Sequence, residues 1–288
     1  MSVPVPSPVM SITLLHGVGM SPMLFADVVD LLAAGPEADS DGRPGAGLVP
    51  ALASVPVHAP VRRGHRSGDE PPVSSFADLL ADVADLVAAV GPTLLVGVSG
   101  GATLALAAAL AGTPGVAAVV AHEPLVGPLV PALHDLVTAG AERLAASDPA
   151  PSPQGVDEAA VAFVAGLVGA DVWARLPHEA HAFAARHAAT VRREVPLFVG
   201  WRPDLSTLAH HAVPVVVSTG ELSAAPRHET AAVLAAAGAR SVVVPAAGHL
   251  APWQRPSAFA DVIVAAWGRT AGHLACDGPS CDTIRETA

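Results

Sequence analysis

The sequence contains no lysine, no asparagine and no tyrosine, only two cysteines, and aromatic residues make up just 3% of its 288 positions. Each shortage closes off some chemistry. Without lysine there is no Schiff base, and without tyrosine no phenol to donate to an oxyanion. Cys276 and Cys281, both in the C-terminal "CDGPSCDTIRETA", are too few for a Cys-only zinc site, and they imply no disulfide framework. Basic residues number 15 against 26 acidic ones, a formal net charge of −11, and the densest basic stretches are only "VRRGHR" and "VRRE". Nucleic acid and anionic membrane surfaces are therefore excluded as expected partners.

No apolar run reaches about 18 residues, so no membrane span is predicted. The N-terminal "MSVPVPSPVM" lacks a basic region, and the "SITLL" behind it reads as a first strand and not as part of a signal peptide. A cytoplasmic location is the expectation. Missing Lys and Asn beside abundant Ala, Val, Gly, Pro and Arg reads as GC-rich codon usage of the actinobacterial kind.

What is present is ample core material, with 51% of residues hydrophobic. Short apolar runs ending in glycine or polar turns alternate with helical periodicities. Strands are predicted at 11–17, 94–98, 116–124, 214–221 and 241–249, and 55–68 reads as a strand running into a polar turn. Helices are predicted at 21–35, 74–91, 100–112, 227–237 and 255–268. Ser21-Pro22 opens the first helix, and Ser75 with Asp78 forms a capping box for the second. Between 125 and 212 helical patterns follow one another without strands. Fully apolar strands alternating with helices imply an α/β fold, a mostly parallel sheet flanked by helices on both faces and interrupted by an all-helical insertion. The expected organisation is a core over 1–124, the insertion over 125–212, a second core part over 213–271 and a flexible tail over 272–288. The Gly/Pro/Asp-rich 35–47 reads as a surface loop.

The stretch "LLVGVSGGATLALAAALAG" (94–112) carries the chemistry. Gly97-Val98-Ser99-Gly100-Gly101 matches G-x-S-x-G, a weak signal alone in a chain with 26 glycines. Its setting between a buried strand and a small-residue helix strengthens it, because a tight strand-to-helix turn lifts the serine hydroxyl clear of the sheet. The first strand ends in "HGVG" (16–19), where the Val18 N–H can join the Gly100 N–H as an oxyanion hole. "VVVPAAGHLAPWQRP" places His249 after the last strand as a base. All three lie at strand C-termini, the ligand-binding edge of an open α/β sheet.

At this point the chain resembles the α/β-hydrolase family over nearly its whole length. The residues that carry the likeness are "HGVG" (16–19), "RRGHRSG" (62–68), "GVSGG" (97–101), "AHEPL" (121–125), "STGE" (218–221) and "AAGHLAPWQRP" (246–256). The resemblance implies a Ser-His-acid triad with Ser99 as nucleophile and His249 as base, and a cap domain in the place of the insertion. It also implies a core that lacks the family's usual first strands. The family's usual position for the acid is occupied in this chain by Ser223, which cannot be an anion. Two carboxylates remain open: Glu123, at the end of the strand after the nucleophile helix, and Glu221, in the usual loop.

Other residues have plainer readings. His178, Glu179, His181 and the His210-His211 pair lack a converging third or fourth ligand, so no metal and no cofactor is expected. His65 matches a structural turn of the family, and Asp69, Glu70 and Asp204 read as surface charges. Trp253 and His122 are candidate substrate contacts. Trp173 and Trp201 could share an apolar pocket with Trp253 or simply pack. The activity expected is hydrolysis of a small, largely apolar carboxylic ester or lactone through a Ser99 acyl-enzyme. An acyltransferase or cyclase on the same fold, and a binding protein with a relict site, are the alternatives.

Overall fold

A computed structural model of the chain describes residues 11–34, 52, 54–66, 72–147 and 157–275. The sequence readings for 35–47, Asp69, Glu70, Cys276, Cys281 and the end of the tail lie outside the described residues.

The core opens with β1 (Ser11–Leu15), α1 (Ala26–Ala34) and β2 (Val57–His58). It continues through α2 (Phe76–Val90), β3 (Thr93–Val98), α3 (Gly100–Leu110) and β4 (Val116–His122). Five helices follow: α4 (Pro131–Ala146), α5 (Glu158–Val168), α6 (Ala170–Arg175), α7 (His178–Arg186) and α8 (Ala188–Gly200). The core then resumes with β5 (Val215–Gly220), α9 (Ala225–Ala236), β6 (Arg240–Val244), α10 (Ala251–Gln254) and α11 (Pro256–Ala275).

The six strands form one sheet in the order β2-β1-β3-β4-β5-β6, and every pairing is parallel. The central strands β1, β3 and β4 are wholly buried, which is why they read as continuous apolar runs without alternation. Chain direction across the sheet reverses after β2. Right-handed crossovers therefore set α1 on one face and α2 and α3 on the other. Packing agrees, with α1 against α11 and α2 against α3. The reversal makes the C-terminal edge between β1 and β3 a topological switch point, where such sheets open a crevice for ligands.

Several boundaries depart from the sequence expectation for local reasons. Pro22–Phe25 is a 3-10 turn ahead of α1, capped by the Ser21 side chain. β6 stops at Val244 because Ala246 takes a positive φ of 51°, which ends the extended run before His249. α11 runs on to Ala275, past the expected start of the tail at 272. The Ser75–Asp78 capping box is formed in both directions.

The approach of α3 to the sheet depends on missing side chains. A Cβ on Gly97 would lie 2.3 Å from the Gly101 carbonyl carbon, and one on Gly101 would lie 2.0 Å from the Leu15 carbonyl oxygen. Both obstacles are backbone, so neither can swing away. Gly101→Ala, which in an open helix would stabilise, is therefore expected to destabilise by about 2–3 kcal/mol through overpacking. The thermal midpoint should fall by roughly 5–10 °C; an unchanged or raised midpoint in a melting experiment would refute the close approach.

Candidate active site

Ser99 sits on the turn these glycines permit. Its backbone is at φ 55° and ψ −121°, a left-handed region that costs a non-glycine residue about 1–3 kcal/mol. The turn is held on both sides. Ser99 N–H donates to the His122 carbonyl of β4, and its own carbonyl accepts from Thr103 N–H in α3. Thr103 Oγ1 in turn accepts from the Leu125 N–H, tying the start of α3 to the chain beyond β4.

Glu123 follows directly on β4 and is also strained, at φ 49°. Its buried carboxylate is met by four donors. Oε1 accepts from Gly220 N–H at 3.0 Å and from the Ser223 hydroxyl. Oε2 accepts from His249 Nδ1 at 2.8 Å and faces Arg227 Nε at 3.1 Å. An ionised carboxylate can only accept, so the His249 proton is on Nδ1 and Nε2 keeps its lone pair. Burial opposes the charge on Glu123, but the His249 hydrogen bond and the nearby His122 and Arg227 outweigh it and hold the carboxyl well below the usual range. Burial, followed by the Arg227 charge, pushes His249 down to about 4 against the pull of Glu123.

Glu221, the other carboxylate open from the sequence, is exposed, and its Oε2 accepts from Ala246 N–H at 2.7 Å. It braces the positive-φ turn that precedes His249. Ser223, standing where the resemblance places an acid, donates to Glu123 instead.

Ser99 and His249 line one small cavity with Gly17, Val18 and, from α5, Val164, Leu167 and Val168; its volume is about 10 Å³, room for about one water. Among the described residues, neither Val18 N–H nor Gly100 N–H donates to a backbone acceptor outside its own element. The loop that carries Val18 is fixed by its neighbours. Gly19 N–H donates to His65 Nε2 at 3.2 Å, and Arg62 N–H donates to His16 Nε2 at 3.1 Å. Arg62 also makes a two-pronged ion pair with Glu194 of α8, at 3.0 and 2.9 Å. Gly19 lies so close to α5 and α8 that a Cβ there would meet Val164 at 2.6 Å and Val191 at 3.0 Å.

The candidate substrate contacts are placed elsewhere. His122 is fully buried, with Nδ1 accepting from the Ser218 hydroxyl at 3.0 Å and Nε2 donating to the Gly248 carbonyl at 3.3 Å. It supports the His249 loop from below and does not line the Ser99 cavity. Trp253 lines a neighbouring pocket of about 160 Å³ that, among the described residues, shares only Met20 and Leu24 with that cavity. Trp201 stacks on Phe76 at 5.3 Å and Trp173 on His181 at 4.6 Å, so the tryptophans serve separate contacts. No group of three metal-ligating side chains converges among the described residues, and no described helix is long and apolar enough to cross a membrane. Sequence reasoning missed Arg227, whose "APRHE" context reads as an ordinary exposed helix start. The only clue was a carboxylate missing from position 223.

Residues 14–262 match the model of the alpha/beta hydrolase family, and the chain belongs to that family. Among solved structures it is similar to a thermophilic esterase from Thermogutta terrifontis, at 19% identity and a TM-score of 0.65 over 92% of each chain. The carboxylesterase CesB of Bacillus subtilis aligns at 17% identity and a TM-score of 0.63, over 91% of this chain and 84% of that one. The enol-lactonase of Burkholderia xenovorans LB400 aligns at 18% identity and 0.62, over 90% and 91%. At these identities the likeness is one of fold. No curated protein matches the chain in sequence.

The buried histidines set the response to acid. His16, His65, His122 and His249 all have lowered pKa values, with burial the largest cause for each. Below pH 6.5 the unfolded chain takes up protons that these rings refuse in the folded state, so stability falls as pH falls. The depressed Glu123 adds a loss of the same sign, felt only at still lower pH. The chain is therefore expected to be less stable at pH 5 than at pH 7.5. Chemical denaturation at pH 7.5 and pH 5 checks this, and equal midpoints would contradict the neutral, buried assignment.

Proposed function

We propose that the protein is a serine hydrolase acting on a small, largely apolar carboxylic ester or lactone. Ser99 is the nucleophile, His249 the general base and then acid, and Glu123 the carboxylate that fixes and stabilises the imidazole. The observation that carries this reading is the 2.8 Å bond from His249 Nδ1 to Glu123, with His249 and the strained Ser99 lining the same cavity. In the first half-reaction His249 Nε2 takes the hydroxyl proton as Ser99 Oγ attacks the carbonyl carbon. The Val18 and Gly100 N–H groups receive the developing oxyanion, aided by the α3 N-terminus. Collapse of the tetrahedral intermediate expels the alcohol, which takes the proton back from His249 and leaves an acyl-enzyme. In the second half-reaction His249 activates water, which attacks the acyl carbon and releases the acid and free Ser99.

Support comes also from membership of the alpha/beta hydrolase family and from likeness of fold to esterases and a lactonase. The helices α4–α8 are read as the cap over this site, because α5 supplies one wall of the Ser99 cavity. Small-molecule chemistry suits so closed a site, and nothing in the mechanism calls for a cofactor or a nucleic-acid partner.

Fluorophosphonate labelling followed by intact-mass detection tests the assignment. Wild type should label once per chain, and Ser99→Ala should not label. Glu123→Gln should slow labelling by about 10³–10⁴, the scale of losing a triad carboxylate. Glu221→Gln, which disturbs only the Ala246 turn, should slow it far less. A folded wild type that does not label, or a larger effect at Glu221 than at Glu123, would overturn these roles.

A further inference from the structure

A groove of about 400 Å³ runs between the insertion and the core, bounded by α4, α5 and the start of α9. Its walls are mostly apolar, from Leu136, Leu144, Phe163 and Leu167, and among the described residues its only charged ones are Arg143 and Arg227. A volume of that size is within the range of small-molecule sites.

Three observations give the groove a chemical preference. First, Arg227 is 8% exposed, and its guanidinium is only partly used. Nε faces Glu123 Oε2 at 3.1 Å and Nη2 donates to the Leu167 carbonyl at 3.4 Å, while Nη1 has no hydrogen-bond partner among the described residues. A buried donor left unpaired costs about 1–3 kcal/mol, which a ligand acceptor recovers once the side chains now covering Nη1 give way. Second, Arg143 brings an exposed positive charge to the groove, beside a guanidinium of Arg227 whose charge is answered by Glu123 on its far side, and no carboxylate is among the described residues that line it. Third, Leu167 lines both this groove and the small cavity of Ser99 and His249, so one side chain borders the two spaces.

We propose that this groove is a carboxylate-binding subsite of the active site, fitting an apolar substrate that carries a free carboxylate beside its reacting ester or lactone. The inference rests on the hydrolase reading above for its link to Ser99. The apolar body lies along Leu136, Leu144 and Phe163, the carboxylate is met by Arg143 and the spare donors of Arg227, and Leu167 is the partition to be displaced as the reacting carbonyl reaches Ser99. A planar guanidinium suits a carboxylate because it offers paired donors in a fixed fork.

Calorimetric titration of the folded full-length chain with 4-phenylbutyrate, and with its uncharged amide as the matched control, tests the subsite. The acid is expected to bind one-to-one and at least about tenfold more tightly than the amide, the scale of a charge-assisted hydrogen bond. Arg143→Ala, an exposed change remote from the Glu123–His249 pair, should cost the acid about tenfold and leave the amide unchanged. Failure of the acid to bind, equal binding of the amide, or indifference to Arg143→Ala would overturn the proposal. Bound 4-phenylbutyrate should also slow fluorophosphonate labelling of Ser99. Arg143-dependent binding that leaves labelling untouched would remove the groove from the substrate path. If wild type does not label at all while Arg143-dependent binding persists, the hydrolase reading falls and the carboxylate site stands alone.

Discussion

A carboxylate removed from water has to be answered by donors, and Glu123 is answered by four: a backbone amide, a hydroxyl, an imidazole and a guanidinium. An isolated buried charge of this kind costs several kcal/mol, and only converging partners repay it. Those partners come from the end of β5, the loop beyond it, the loop after β6 and the first turn of α9. The carboxylate is therefore a joint where the C-terminal ends of three adjacent strands have to be in register at once. The His122–Ser218 pairing of β4 with β5 and the Gly220–Val244 pairing of β5 with β6 supply that register. The strained backbones of Ser99 and Glu123 are tolerated because each is pinned by main-chain bonds to the neighbouring strand.

On the other side of the site the constraint is one of neutral polar groups. His16 and His65 are buried as uncharged rings that each accept from a backbone N–H, and so hold the loop of Gly17 to Gly19 in shape. Arg62 sits beside them and spends its charge on Glu194 of α8. The loop proposed to hold the oxyanion and the helices read as a cap are in this way parts of one packed unit. The contact of Gly19 with Val164 and Val191 has the same effect through shape alone.

How far the sequence discloses all this follows the range of the interactions. The strands and helices, and the turn at Ser99, are legible because their causes are local: apolar runs, capping residues, and glycines flanking a serine. The choice between Glu123 and Glu221 is not legible, since it depends on where a side chain points across 126 positions of chain to His249. His122 and Trp253 show the same limit from the other side. Each is close in sequence to a site residue, yet strand alternation turns His122 into the layer beneath the His249 loop, and Trp253 faces a different pocket. Arg227 gives no signal of its own beyond the carboxylate missing from position 223, because a lone arginine at the start of a helix usually stays in water, and only the folded chain brings a buried anion to it.

The hydroxyl of Ser223 has a consequence for how such a site could have changed over time. Its position and that of Glu123 converge on the same spot, so the two are alternatives for housing one negative charge. A chain with carboxylates at both would force two like charges together in a buried place, and a chain with neither would leave His249 Nδ1 without its acceptor. Moving the charge from one strand end to the other thus crosses a poor intermediate in either order. Once the hydroxyl donates to the relocated carboxylate, each residue depends on the other, and the arrangement resists reversal one step at a time.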